Sequence, residues 1–252
     1  MKMKDLLKEG DFDDFGLSGH GSELDNDDEL IVIDSSEDTS SVKNFLKKNN
    51  FNFKVLYFWM SPCGIYPAMN RGIVKSSNTY IQIINSGDLL LSSSRKIISH
   101  ELEANPNVNI FIFDQLSGYG DGPSIQFSPT NNSLWPHQSI IVKKKVHDEL
   151  GLYSEKFELI SDQIFFIEAK MLFSFKIINK SLTYYDLTGA SSKLNRKMLV
   201  ETFILWRKFG KSITYSMLKS TSLIFKVVLL KFFGRNAIIY IRTFIFSHYS
   251  KK

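Results

Sequence analysis

Two carboxylates stand where they could do chemistry. Asp34 closes the run "LIVID", and Asp88 closes "YIQIINSGD". Each follows a stretch that reads as a buried parallel strand, and in open α/β sheets ligands sit beyond the carboxyl ends of the strands. A nucleotide or a metal would be held at such a place. Acids are also common in turns after strands, so the position alone leaves both readings open. A third acid, Asp162, falls in the first turn of a helix opened by Ser161, where it complements the helix dipole by about 0.3–1 kcal/mol. His137 and Gln138 precede a further apolar run; by residue type alone His137 reads as a hydrogen-bonded structural histidine.

The elements that must position these residues alternate. Strands are expected at "ELIVID", "FKVLYFW", "TYIQIIN", "VNIFIFDQ", 139–143, "FSFKIIN" and "LTYYDLTG". Helices are expected at "SVKNFLKKNN", with Val42, Phe45 and Leu46 on one stripe, and at "YPAMNRGIVKSS", with Pro67 at or near its first position. Further helices are expected at "SSRKIISHELEANP", stopped by Pro106, over 144–150, closed by Gly151, and from Ser161 onward. Such alternation predicts an α/β fold with a parallel sheet and helices on both faces.

The chain of 252 residues is 43% hydrophobic, enough for a sizeable core. Its charge is uneven: residues 1–40 carry 13 acids and 3 Lys/Arg, whereas 191–252 carry 13 Lys/Arg and a single acid, Glu201. Three regions are therefore expected: an acidic segment 1–28, an α/β domain 29–194, and a basic amphipathic helical tail 195–252. In the tail, "KMLVETFILWRKFG" puts Leu199, Phe203 and Trp206 on one stripe. The basic excess lies among apolar and aromatic residues rather than in a nucleic-acid module, so no nucleic acid is expected. No run of about 18 uncharged apolar residues is present. The tail reads either as an interfacial pair over 212–252, with lysines and arginines reaching an anionic membrane surface, or as a basic helix packed on the domain or in a homodimer. One cysteine, Cys63, excludes a disulfide scaffold and a Cys-based zinc cluster. Met1 to Gly10 has no apolar signal-peptide core, which sets the expectation of a cytoplasmic protein, peripheral on the inner membrane face.

Five stretches in order, "IVIDSSEDTS", "GIYPAMNRGI", "YIQIINSGD", "HQSIIVKKKVHDELGLYSEKF" and "ISDQIFF", resemble the family 2 glycosyltransferases, in particular the colanic-acid-type branch of bacterial polysaccharide synthesis. The likeness runs over roughly residues 29–170. It implies a three-layer GT-A fold with a mixed, mostly parallel sheet and a C-terminal helical appendage. It also implies a nucleotide-sugar donor, Mn²⁺ or Mg²⁺, and inverting transfer to a hydroxyl of a saccharide, lipid-linked as a rule. By the same resemblance Asp34 is the acid near the nucleobase, and Ser35, Gly64, Asn70 and Ser86 belong with it to the donor pocket. Asp88 is the metal-binding acid, Ser86 standing where the motif has its first acid; His137 and Gln138 line the cleft, and Asp162 is the catalytic base.

The residue types suit that chemistry. A departing diphosphate gathers charge that a hard cation neutralises, and such an ion takes one or two carboxylates plus phosphate oxygens. A hydroxyl attacking C1 needs a proton acceptor, worth about 10²–10⁴-fold. The sequence also departs from the family: Met60, Pro62 and Pro67 stand where it has acids, and residues 1–28 contain no apolar first strand. These departures carry the competing expectation, a catalytically degenerate binding or assembly protein of a polysaccharide machine.

Overall fold

The computed structural model describes residues 27–118, 124–187 and 196–224. The acidic segment expected at 1–28, all but its last two residues, and the tail beyond 224 lie outside them, as does most of the boundary expected near 194. The described elements are β1 (Glu29–Asp34), α1 (Ser40–Lys48), β2 (Lys54–Trp59), α2 (Ile65–Lys75), β3 (Tyr80–Gln82), β4 (Leu89–Leu90), α3 (Ser94–Ala104), β5 (Ile110–Gly118) and β6 (Ile125–Phe127). After a 3₁₀ turn at His137–Ser139 come β7 (Ile140–Lys143), α4 (Lys144–Leu150), α5 (Ser161–Leu172), β8 (Phe175–Asp186) and α6 (Arg196–Lys208), and 213–224 is helical.

β5 runs through the middle of the core. Its Ile110, Phe111, Ile112 and Phe113 are completely buried. Side chains alternate across a strand, so Ile110 and Ile112 pack with Tyr66, Met69 and Ile73 of α2 and Phe165 and Phe166 of α5. Phe111 and Phe113 turn the other way, toward Ile178 and Leu182 of β8 and Ile97, Ile98 and Leu102 of α3. This gives helices on both faces of a sheet ordered β3-β7-β5-β8-β4, with β6 paired to β5. Within it β5–β8 is parallel, while β3–β7, β5–β7, β4–β8 and β5–β6 are antiparallel. Strand–helix alternation alone points to more parallel pairing. The short strands β4, β6 and β7 pair antiparallel, which requires no helical crossover.

β1 and β2 form a second, parallel sheet, and among the described residues β1 pairs only with β2. Helix α2 joins the two sheets. Gly72 faces Ile33 of β1, whose Cγ1 lies 3.7 Å from where a Cβ would stand, an ordinary packing distance, while Ile73 enters the main core. Glu29 completes the tie by accepting hydrogen bonds from the backbone of Ser77 and Asn78 and the Ser77 hydroxyl, just ahead of β3.

Three local expectations change. Pro67 is the third residue of α2, with Ile65 the first; this is tolerated because the first-turn N–H groups have no helical partner to lose. Ser161 is the first residue of α5 rather than its cap, because its hydroxyl donates to the Ser154 carbonyl. "FSFKIIN" and "LTYYD" are one strand, β8, whose register against β5 shifts around Asp114. At the C-terminal end, Leu205 of α6 packs on Ile160 and Ile164. The Glu201 carboxylate accepts the N–H groups of Glu158 and Leu159 at 2.9 and 2.8 Å. No helix among the described residues is long and apolar enough to cross a membrane.

Candidate active site

The chain leaves β3 through Asn85, Ser86 and Gly87. Gly87 has φ +92°, a conformation that side chains resist, and the Asp88 N–H closes the turn on the Asn85 carbonyl at 3.0 Å. This points Asp88 inward and leaves Ser86 exposed. The Asp88 side chain accepts from Gln138 Nε2 at 3.0 Å and from the backbone N–H of Asp186, at the end of β8, at 3.1 Å. Burial pushes its pKa up to about 6. The bonds from Gln138 and Asp186 N–H and the nearness of His137 oppose that rise, and the Asp186 charge adds to it. Gln138 is itself fixed: its side-chain oxygen accepts from Gln115 and its backbone carbonyl from Gln82.

One residue earlier, the His137 ring links two further elements. Its Nδ1 lies 2.9 Å from Oδ2 of Asp162, in the first turn of α5, and its Nε2 lies 2.9 Å from the Asn85 amide nitrogen. Asp162 also accepts from the Tyr66 hydroxyl at 2.8 Å and from Gln163 Nε2 at 3.1 Å. Burial alone would raise the Asp162 pKa, but the hydrogen bonds from His137, Tyr66 and Gln163 outweigh it and hold the carboxyl below the usual range. Tyr66 is pushed up, by burial first and then by Asp162. It reaches this position because α2 starts abruptly at Gly64, with φ +113°.

Asp88 and Asp162 are thus held by consecutive residues, Gln138 and His137, in one polar cluster at the ends of β3 and β8 and the start of α5. Of the other residues singled out in the sequence, Ser86 lies on the turn that carries Asp88 and Gly64 opens the helix that carries Tyr66, while Asp34 and Asn70 have their partners elsewhere. Asp34 accepts from the Ser36 N–H and hydroxyl and from Tyr57 at 2.8, 2.6 and 2.7 Å, bonds that more than offset burial and keep its pKa low. It organises the turn after β1 that carries Ser35. Beside it the exposed Trp59 donates to the Ser36 carbonyl. Asn70 accepts from the Tyr153 N–H and donates to the Tyr153 carbonyl and to Glu155, so it pins α2 to the loop before α5. The sequence reading missed Tyr66, Asn85, Gln115 and Asp186. Tyr66 and Asn85 sit inside stretches already singled out, whereas Gln115, within β5, and Asp186, at the end of β8, carry no local signal.

Among the described residues no three His, Cys, Asp or Glu side chains gather as a metal site. Asp186 nevertheless adjoins Asp88, its backbone N–H lying 3.1 Å from Oδ1 of Asp88. Two hard carboxylates fit Mn²⁺ or Mg²⁺, which complete their shell with phosphate oxygens and water.

No protein-family model matches the chain, and no curated protein matches it in sequence. Solved structures do. S. aureus TarS 1-349 in complex with UDP-GlcNAc is 14% identical, with a TM-score of 0.57 over 86% of this chain and 68% of that one. A further crystal structure of S. aureus TarS 1-349 is 13% identical, with a TM-score of 0.56 over 86% of this chain and 69% of that one. The mannosyltransferase PcManGT from Pyrobaculum calidifontis, in complex with GDP-Man and Mn²⁺, is 8% identical, with a TM-score of 0.51 over 86% and 70%. The chain therefore has the mixed α/β fold of solved proteins that hold nucleotide sugars, the GT-A type its sequence resembles.

Proposed function

We propose that the chain is a glycosyltransferase that moves a sugar from a nucleotide-sugar donor to a hydroxyl of a saccharide acceptor, lipid-linked, with inversion, in the synthesis of a cell-surface polysaccharide. One observation carries this reading: Gln138 and His137, adjacent in the chain, hold Asp88 and Asp162 in a single polar cluster. Asp88, with Asp186, would hold Mn²⁺ or Mg²⁺, which when bound supplies positive charge to the departing diphosphate. Asp162 and His137 form the proton-accepting side, and Gln138 keeps the two sides in register. Asp34, Ser35, Gly64 and Ser86 face the donor's nucleoside and phosphates, and Asn70 steadies α2 behind them.

Incubation with UDP-, GDP- and dTDP-sugars, Mn²⁺ and saccharide acceptors is expected to give nucleoside diphosphate and a product of inverted anomeric configuration. Silence across the panel, with no thermal shift on adding nucleotides, overturns the assignment. A second reading, a binding or assembly protein without turnover, is favoured by the Met60, Pro62 and Pro67 departures and by the slight exposure, 4%, of both acids. Metal-dependent nucleotide binding without transfer is its signature.

The same reading places the protein on the inner membrane face through the basic tail. Val200, Met217, Leu218 and Ile224 are exposed, and Arg207, Lys208 and Lys219 share those helices, with Lys211 on the link between them, while the single acid there, Glu201, is buried under the loop before α5. Apolar residues among cations bind an anionic bilayer by burial and charge together. Flotation with vesicles containing anionic lipid is expected to carry the protein, and neutral vesicles or high salt to release it. Doubling of mass without vesicle binding would instead mark these helices as a homodimer contact.

A further inference from the structure

We infer that His137, and not Asp162, takes the proton from the acceptor hydroxyl, and that Asp162 is the residue that positions and charges it. The inference rests on the glycosyltransferase reading and deepens it. Asp162 is poorly placed to receive a proton. Its two oxygens already accept from Tyr66, His137 and Gln163, and only 6% of its side chain is exposed, against 13% for His137. A hydroxyl approaching Asp162 meets two oxygens that already hold three donors, the buried Tyr66 among them. A hydroxyl approaching His137 Nε2 need only take the place of one donor, the half-buried Asn85, which leads into the exposed Ser86 and Gly87.

The hydrogen bonds also fix the ring's state. An ionised Asp162 can only accept, so Nδ1 of His137 carries the hydrogen and donates it. The neutral ring then keeps its lone pair on Nε2, where the Asn85 amide donates in the resting protein. During transfer the acceptor oxygen forms its bond to C1 of the sugar as the bond from C1 to the diphosphate oxygen breaks. The electron pair leaves with the nucleoside diphosphate, and the hydroxyl proton moves to Nε2. The resulting imidazolium is stabilised by the Asp162 carboxylate 2.9 Å from Nδ1. It returns its proton to water once the product has left. A neutral imidazole is suited by type to this task near neutral pH.

Nitrogen-15 NMR of histidine-labelled wild-type protein is expected to show His137 with hydrogen on Nδ1 and a bare Nε2; hydrogen on Nε2 instead overturns the inference whatever the activity. Kinetically, His137→Gln is expected to keep the nucleotide-induced thermal shift with Mn²⁺ and to lose transfer by about 10²–10⁴-fold. His137→Gly is expected to regain part of the transfer with added imidazole, and Asp162→Asn to lose transfer without such rescue. Transfer that survives His137→Gln but not Asp162→Asn assigns the proton to Asp162 and sinks the inference alone. Wild-type protein that transfers nothing from any donor sinks the glycosyltransferase reading, and the base assignment with it.

Discussion

Replacing Asp88 with asparagine will leave a more stable protein that neither binds nucleotide with Mn²⁺ nor transfers sugar. Asp88 is 4% exposed and its pKa is pushed up to about 6, chiefly by burial. A carboxyl whose folded pKa lies above its unfolded value favours the fold below the unfolded pKa, near 4, and that advantage is lost as pH rises through about 6. At pH 8 the ionised group therefore weighs against folding by about 3 kcal/mol. Asparagine removes the charge but presents an NH₂ where the carboxylate accepted from two donors, Gln138 and the Asp186 N–H. Gln138 must turn its amide to match, so the expected net gain is smaller, about 1 kcal/mol, or a few degrees in Tm. Thermal melts of wild type and variant at pH 8 and pH 4 separate these contributions: the gain is expected at pH 8 and gone at pH 4. A variant less stable than wild type at pH 8 would mean that the buried charge is compensated. In that case Asp88 is a structural carboxylate and not a site held open for a cation.

Much of this was legible in the sequence because it depends on local pattern. β1, β2, β3 and β5 follow their apolar runs, and Gly151 ends α4 with φ +88° as a glycine after a helix does. Asp88 was visible because the turn carrying it needs a glycine at Gly87. The rest depends on contacts between distant segments. Asp186 meets Asp88 only because β8 and β4 pair in one register, Tyr184 opposite Leu89. The antiparallel return of β7 along β5 has no signature in either strand. Asp162 was read as a base from resemblance, yet its surroundings depend on Tyr66 arriving from α2 and His137 from the turn before β7. Asn70, placed in the donor pocket by the same resemblance, spends its amide on the backbone of Tyr153, a contact invisible without the fold. Residue type and order singled out Asp88, His137, Gln138 and Asp162; topology decided which side chains meet them.

His147 allows a test of the core that is independent of any substrate. It lies on the inner face of α4, 3% exposed, stacked on Phe165 with ring centroids 4.5 Å apart and met edge-on by Tyr153. Neither ring nitrogen has a hydrogen bond of normal geometry. Burial lowers its pKa to about 4, the backbone at Gly151 and the charge of Asp148 opposing only in part. The unfolded chain therefore takes up this proton near pH 6.5, while the folded chain resists it until about pH 4. The site's contribution to stability is complete above pH 6.5 and drains away as pH falls toward 4, amounting to about 3 kcal/mol. Phenylalanine keeps the stack and removes both the proton site and the unpaired nitrogens. His147→Phe is thus expected to be more stable than wild type by about 1 kcal/mol at pH 7, and by about 3 kcal/mol more near pH 4. The carboxyls held low in the fold, Asp34, Asp162, Glu29 and Glu101, do not confuse the measurement. Their stabilisation is lost only below their unfolded values, and they are common to both proteins, so they cancel in the difference. Urea denaturation across pH 4–7 reads that difference directly. If the two curves run parallel, the ring takes up its proton inside the fold as easily as outside it, and the packing of α4 against α5 is looser than the stacked ring implies.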